Sequence, residues 1–314
     1  MQYPNLPTPK THFTDISCFN ALQLRQIIEL AKDTKQNKVK YSKALDGKVL
    51  CSIFQKLSTR TRLSFDIAIN QLGGRCIVLN AGDIHLGKNE SIKDTALLLS
   101  RMADFVSIRC YAHDDLMELA KYSSVPVINA LTDYSHPCQI IASVMAIEQK
   151  LGSNIDGKTI AWVGDGNNVL TSYIHLAAKF NFTLNIATPK GYEPNSQALS
   201  YALANGQNGA KINLTNNPRQ AVKGADVVVT DTWLSMGQEG DLEKIKSFNG
   251  FIVDSKLMSL AKQGALFTHC LPAHRGYEVC DDVIDSKLSI VFDEAENRIY
   301  AQKAILLFCE GLTS

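Results

Sequence analysis

Short apolar runs alternate with amphipathic stretches of helical period along most of the chain, and this alternation limits the fold more than any other feature. Residues 49–54, 75–79, 105–109 and 125–130 read as strands, while stretches starting at Ser58 and near Ser91, and residues 114–122, read as helices. An opening helix is expected over 20–32, where Leu22, Leu24, Ile27, Ile28 and Ala31 fall at helical spacing. The same order returns from residue 159, with strands expected at 159–163, 183–187, 226–230, 250–254 and 266–269 and a helix running to Phe180. Repetition of strand and helix builds a parallel sheet covered on both faces, so the expected class is α/β with doubly wound parallel-sheet domains. Ligands of such sheets bind beyond the carboxyl ends of the strands, which makes the residues after each apolar run the ones to inspect. Residues 195–217 are polar and expected at the surface, and 302–312 read as a closing helix.

A chain of 314 residues exceeds what one hydrophobic core ordinarily supports, and two domains are expected, 1–150 and 151–298, bridged by a helix over 138–150. Lys plus Arg number 32 against 31 Asp plus Glu, and no long basic run argues for nucleic acid or a membrane surface. A small-molecule ligand is expected instead. The first residues follow neither the plan of a signal peptide nor that of a transit peptide. No apolar run approaches the roughly 20 residues that a membrane span requires. The eight cysteines are scattered, several of them inside apolar strands, which suits reduced thiols in a cytoplasmic enzyme.

The densest chemistry lies in Phe54-Gln55-Lys56-Leu57-Ser58-Thr59-Arg60-Thr61-Arg62, where a strand ends and a helix begins. Helix N-termini leave outward-pointing N–H groups and partial positive charge, so Ser58, Thr59, Arg60 and Thr61 there make an anion trap. Taken alone, Ser58 reads equally well as a plain N-cap with the arginines solvated. Gly164-Asp165-Gly166 invites a dinucleotide reading, but the third glycine position is Val169, and about 20 residues on stand Asn185 and Ile186 rather than an acid. His269, Cys270 and His274 are three possible zinc ligands without a fourth at finger-like spacing, so no metal is expected.

Lys56–Arg62, His136-Pro137-Cys138-Gln139, Asp231-Thr232-Trp233-Leu234-Ser235-Met236-Gly237 and His269-Cys270-Leu271-Pro272 occur in this order, and together they resemble the ornithine carbamoyltransferases over nearly the whole chain. The first two motifs are shared with aspartate carbamoyltransferases; the last two are more specific to the ornithine branch. The resemblance implies that the first domain binds carbamoyl phosphate, with the closing helix, 299–314, crossing back to it, and that the second binds L-ornithine. Citrulline and phosphate would form in the cleft between them without a metal or cofactor, for arginine biosynthesis or in the reverse, catabolic direction. By the same likeness Ser58, Thr59, Arg60, Thr61, Arg109 and Arg298 hold the phosphate, and His136 and Gln139 address the carbamoyl group. Cys270 and Leu271 also belong to that site, while Asn168, Asp231, Ser235 and Met236 bind the amino acid and Asp231 and Cys270 relay its proton. The carboxylates beside Arg298 are expected to orient it.

The loop 81–90 resembles a family segment that reaches into a neighbouring subunit, which implies a homotrimer or a multiple of it. His85 and Lys88 are both candidates for that contact. A carbamoyltransferase acting on putrescine or aspartate, and a non-enzymatic binding protein on the same fold, are the competing readings. Gln55 and Leu57 depart from the family's habit, and the effect is expected on the support of Arg60 or Arg62.

Overall fold

The computed structural model describes residues 11–80, 82, 90–206, 211–234 and 240–312. Two compact units emerge: Gln139–Asn297, and the chain on either side of it.

In the flanking unit, α1 (Ala21–Gln36) begins under a complete capping box, in which the Asn20 side chain accepts from the Gln23 N–H and the Gln23 side chain accepts from the Asn20 N–H. There follow β1 (Val49–Phe54), α2 (Thr59–Gln71), β2 (Arg75–Asn80), α3 (Ile92–Met102), β3 (Phe105–Arg109), α4 (His113–Tyr122) and β4 (Val127–Leu131). The strands form one parallel sheet in the order β2-β1-β3-β4. β1 and β3 are buried along their whole length, as strands covered on both faces must be. Cys51, Ile53, Val106 and Ile108 pack with Ala96 and Leu99 of α3 and Leu116 and Leu119 of α4. Strand order reverses between β1 and β3, where Phe54 and Arg109 pair in register at the carboxyl ends. That reversal is where a doubly wound sheet opens a crevice for ligand.

Helix α5 (Pro137–Leu151) leads into the second unit, which contains β5 (Thr159–Val163), α6 (Asn168–Ala177), β6 (Thr183–Ala187), α7 (Ser196–Asn205), β7 (Lys211–Thr215), α8 (Pro218–Val222) and β8 (Val227–Thr230). After these come α9 (Leu242–Ser247), α10 (Ser255–Met258), β9 (Leu266–His269), α11 (Asp281–Ile284) and α12 (Val291–Glu310), whose last turns return to the first unit. The sheet is parallel again, in the order β7-β6-β5-β8-β9, and reverses between β5 and β8. α6 is buried on every side from Val169 to Ala177, which its apolar sequence allows. Among the described residues no helix is long and apolar enough to cross a membrane. Cys51, Cys110, Cys138 and Cys309 are free and buried. Burial pushes the Cys110 and Cys138 thiols up to about 12, which makes them unreactive.

One expected strand is absent, one surface stretch holds more structure than its sequence announces, and the last helix is longer than read. Residues 250–254 form no strand: Gly250 has φ +86, and only Val253 makes a bridge, to Val279. The polar stretch 195–217 does lie largely at the surface, yet it holds α7 and the edge strand β7, whose side chains are mostly exposed and therefore carry no apolar signal. The last helix begins at Val291 rather than near residue 302. Its buried face there is polar, with Glu294, Asn297, Arg298 and Gln302 all enclosed, so helical spacing is present but not in hydrophobic residues.

Candidate active site

At the β1–β3 reversal, Ser58 caps α2, its hydroxyl accepting from the Thr61 N–H at 3.2 Å. The plain capping role is therefore real, and it leaves the Ser58 proton available to donate. Thr59 is exposed, and the guanidinium of Arg60, half-buried, has no hydrogen-bond partner among the described residues. Thr61 is buried, and its hydroxyl accepts from Arg298 Nη2 at 2.7 Å and from Arg109 Nη1 at 3.4 Å. With both lone pairs taken, its one proton is left to donate.

His136 sits just before the first turn of α5, 3% exposed. Burial, and then the charges of Arg298 and Arg109, hold its imidazole well below the ordinary histidine range. It is thus a neutral N–H donor near neutral pH. Two buried guanidiniums, one shared hydroxyl, the start of a helix and a neutral imidazole form a site for an anion that also carries a carbonyl.

Gln55 supports this cradle at a point other than the expected one. Its N–H donates to the Arg109 carbonyl at 2.8 Å and its Oε1 accepts from the Tyr111 N–H at 3.2 Å, so it fixes the end of β3 rather than Arg60 or Arg62. Arg62 instead bonds Asn80 Oδ1 and lies over the Phe54 ring, bracing β1 against β2. Leu57 is 87% exposed and supports nothing among the described residues. Lys56, not assigned from sequence, pairs with Asp133 and lies 4.3 Å from the Tyr111 ring centre.

In the other unit, the turn after β5 and the residue after β8 meet at the second reversal. Asn167 caps α6 by accepting from the Val169 and Leu170 N–H groups, and its Nδ2 donates to Asp231 Oδ2 at 2.7 Å. The asparagine bonded to Asp231 is Asn167, which the sequence reading did not assign; Asn168, expected to meet the amino acid itself, is the first helical residue. The N-cap preference for asparagine was the signal that separates them. Asp231 Oδ1 accepts from the Thr232 N–H at 2.8 Å and from the Cys270 thiol at 2.9 Å.

Cys270 follows β9, whose last residue, His269, pairs with Thr230. The His269 ring accepts from the Leu271 N–H at Nδ1, so its proton lies on Nε2, facing Glu278 Oε1 at 3.3 Å. Ligand atoms of Asp231, His269 and Cys270 lie within 4.8 Å of one another. A metal would have to displace one of the two hydrogen bonds that occupy the His269 ring, so the group fits a hydrogen-bonded relay better. His274 turns elsewhere, to Thr232 Oγ1 at 2.9 Å. Leu271 has φ +58, a left-handed backbone rare for a branched residue and of the kind that gathers at working sites.

Close packing fixes the β5 turn. Asp165 pairs with Lys244 Nζ at 2.8 Å, tying α9 to the turn beneath the Tyr192 ring. A Cβ on Gly166 would stand 2.2 Å from the Glu193 carbonyl oxygen, where nothing flexible can yield. Gly166→Ala is expected to destabilise the protein by about 1–3 kcal/mol, measured by urea unfolding, as overpacked sites do. An unchanged midpoint would mean that the 190–193 loop shifts freely.

Glu294 is the remaining surprise. Its carboxylate accepts from Gln139 Nε2 at 2.5 Å, from Ser143 Oγ at 2.8 Å and from Thr268 Oγ1. Both its oxygens are taken by these groups, so the expectation that it orients Arg298 gives way to a role at Gln139. The Gln139 Oε1 is buried with no hydrogen-bond partner among the described residues. Ser235, Met236, His85 and Lys88 lie outside the described residues.

Residues 11–149 match the family description "Aspartate/ornithine carbamoyltransferase, carbamoyl-P binding domain", and 156–309 match its "Asp/Orn binding domain". The chain is 53% identical over 300 residues to the ornithine carbamoyltransferase of Brucella abortus, covering 95% of each chain. The solved structure of the ornithine carbamoyltransferase from Pyrococcus furiosus superposes with a TM-score of 0.91 at 46% identity, over 95% of this chain and 96% of that one. A mutant N-acetyl-L-ornithine transcarbamylase complexed with PALAO is more distant, with TM-score 0.85 and 30% identity over 94% of this chain and 98% of that one.

Proposed function

The chain belongs to the aspartate/ornithine carbamoyltransferase family, and from that premise we propose that it transfers the carbamoyl group of carbamoyl phosphate to the side-chain amine of L-ornithine, giving L-citrulline and phosphate. The observation that carries the reading is the pair of half-sites, each at the reversal point of its own sheet: an anion cradle around Thr61, and an Asn167–Asp231–Cys270 chain.

The phosphate is held by Ser58, Thr59, Arg60, Thr61, Arg109 and Arg298. Negative charge builds on the leaving phosphate and on the carbonyl oxygen as the amine attacks. His136 donates to that oxygen, which its neutrality permits, and Thr61 gives its proton to the phosphate. Gln139 presents its Oε1 to the carbamoyl N–H. Asp231 takes the α-ammonium of ornithine. Cys270, on the Asp231 carboxylate, lies along the route by which the δ-ammonium proton leaves, with Leu271 completing that wall and Asn168, Ser235 and Met236 taking the rest of the amino acid.

Freeing the δ-amine at pH 7 costs about 4.6 kcal/mol for a lysine-like pKa of about 10.4. Orienting two bound reactants supplies about 7–11 kcal/mol and each well-placed oxyanion donor about 2.7–4, so the requirement is met without a metal. The test is citrulline formation with ornithine, N-acetylornithine, putrescine and aspartate supplied separately with carbamoyl phosphate. Ornithine is expected to be preferred by at least a hundredfold in kcat/KM, in the range that charged and hydrogen-bonded recognition provides. Faster turnover of any other amine would overturn the substrate assignment.

The active unit in this reading is a cytoplasmic homotrimer, or a multiple of it, whose loop 81–90 serves a neighbour. In this reading the exposed apolar side chains of the first unit, Leu63, Ile77, Leu97, Leu98 and Met102, 45–69% exposed, are the ones a neighbouring copy would cover. Mixing an inactive His85→Ala, Lys88→Ala variant with an inactive Arg60→Ala variant under subunit exchange is expected to restore activity. Some hybrid sites then join an intact loop to an intact cradle. Confirmed exchange without rescue, or a fully active monomer in light scattering, would remove the shared site.

A further inference from the structure

The geometry points to Glu294 as a positioning residue that sets which end of the Gln139 amide meets the substrate, and thereby selects a carbamoyl group over an acyl group. The inference rests on the carbamoyltransferase reading and extends it to a residue that touches no reacting atom.

Gln139 carries a donor and an acceptor on nearly superposable atoms, so unaided it presents either with similar ease. Glu294 removes the choice. Burial raises the Glu294 carboxyl above its ordinary range, but the donors aimed at it, from Thr268, Ser143 and Gln139, favour the charged form, and a charged carboxylate only accepts, so the contact at 2.5 Å calls for Nε2. Ser143 and Thr268 fill the other positions on that carboxylate and keep it from turning away. Glu294 is 2% exposed and Gln139 1%, so no solvent competes for the contact. Besides the second Nε2 proton, Gln139 keeps a buried oxygen without a partner among the described residues, at the end of the amide turned away from Glu294. Carbamoyl phosphate has N–H groups to offer it. Acetyl phosphate, of nearly the same size and charge, has a methyl in their place and leaves the oxygen unpaired. Sites built around such an acceptor reject the analogue that lacks the donor.

The measured quantity is the ratio of the inhibition constant for acetyl phosphate to the KM for carbamoyl phosphate, with ornithine as the amine. Glu294→Met keeps the length but removes the acceptor, and the ratio is expected to fall roughly tenfold, the scale of one buried polar group left unpaired. Glu294→Gln still offers an oxygen to Gln139 and an amide to Thr268, and should hold the ratio within about threefold. In a Gln139→Met background, Glu294→Met should lower the ratio no further, because the two act through one contact. A purely structural Glu294 would weaken both ligands alike and leave the ratio unchanged in folded Glu294→Met; that result overturns the proposal, as does an additive loss in the double variant.

If Glu294→Met does not fold, the exchange Gln139→Glu with Glu294→Gln decides. Position 139 then shows oxygen in either orientation, so the ratio must persist, and its collapse would reject the idea. Absence of citrulline formation by the unaltered protein would instead be a failure of the underlying reading.

Discussion

Arg60→Lys is expected to lower kcat for citrulline formation roughly a hundredfold and to weaken carbamoyl phosphate binding, with circular dichroism unchanged. The charge survives this change but the planar fork does not, and a single ammonium cannot bond two phosphate oxygens side by side. The Arg60 guanidinium has no hydrogen-bond partner among the described residues, its carbonyl alone accepting from Ser64 Oγ, so the loss should fall on the ligand rather than on the fold. Arg109 and Arg298 differ, because each donates to Thr61 and its removal would also disturb the cradle. Kinetics within threefold of the parent would place Arg60 outside the phosphate site.

Asp231→Asn should raise the KM for ornithine and lower turnover by a combined factor of roughly a hundred, while carbamoyl phosphate affinity, measured alone, changes less than about twofold. The carboxylate accepts from three donors: Asn167 Nδ2, the Thr232 N–H and the Cys270 thiol. An amide keeps the shape but turns an N–H toward one of them, leaving two donors face to face, besides losing the charge that takes the α-ammonium. Equal losses for both substrates would indicate misfolding or a misplaced site.

Much of this was legible in the sequence, for reasons that particular residues make plain. The strands 49–54, 105–109, 159–163 and 266–269 were readable because strands covered on both faces carry mostly apolar runs, and the structure buries all but Thr159 of them. Ser58 and Ser91 were readable because hydroxyl caps announce helix starts. β7 was not, since an edge strand with exposed side chains has no alternation to display. The first turns of α12 were hidden for the opposite reason: they are buried, but by charged and amide side chains whose partners lie far away in sequence. The Glu294–Gln139 contact spans 155 positions and the Arg298–Thr61 contact 237, so no local pattern could announce either. Asn167 and Asn168 are chemically identical neighbours, and only the capping geometry tells them apart.

The hydroxyl of Thr61 that Arg109 and Arg298 share has a thermodynamic consequence for the whole molecule. Two like charges converge on one hydroxyl, and beside them the imidazole is held neutral by burial first and by those charges second. A dianion entering the cradle would relieve their mutual repulsion, so inorganic phosphate, the reaction's own product, is expected to double as a folding ligand. At a hundred times its dissociation constant it would add about 2.7 kcal/mol to stability. Heat resistance is therefore expected to rise with the surrounding phosphate concentration, while the same occupancy holds back turnover.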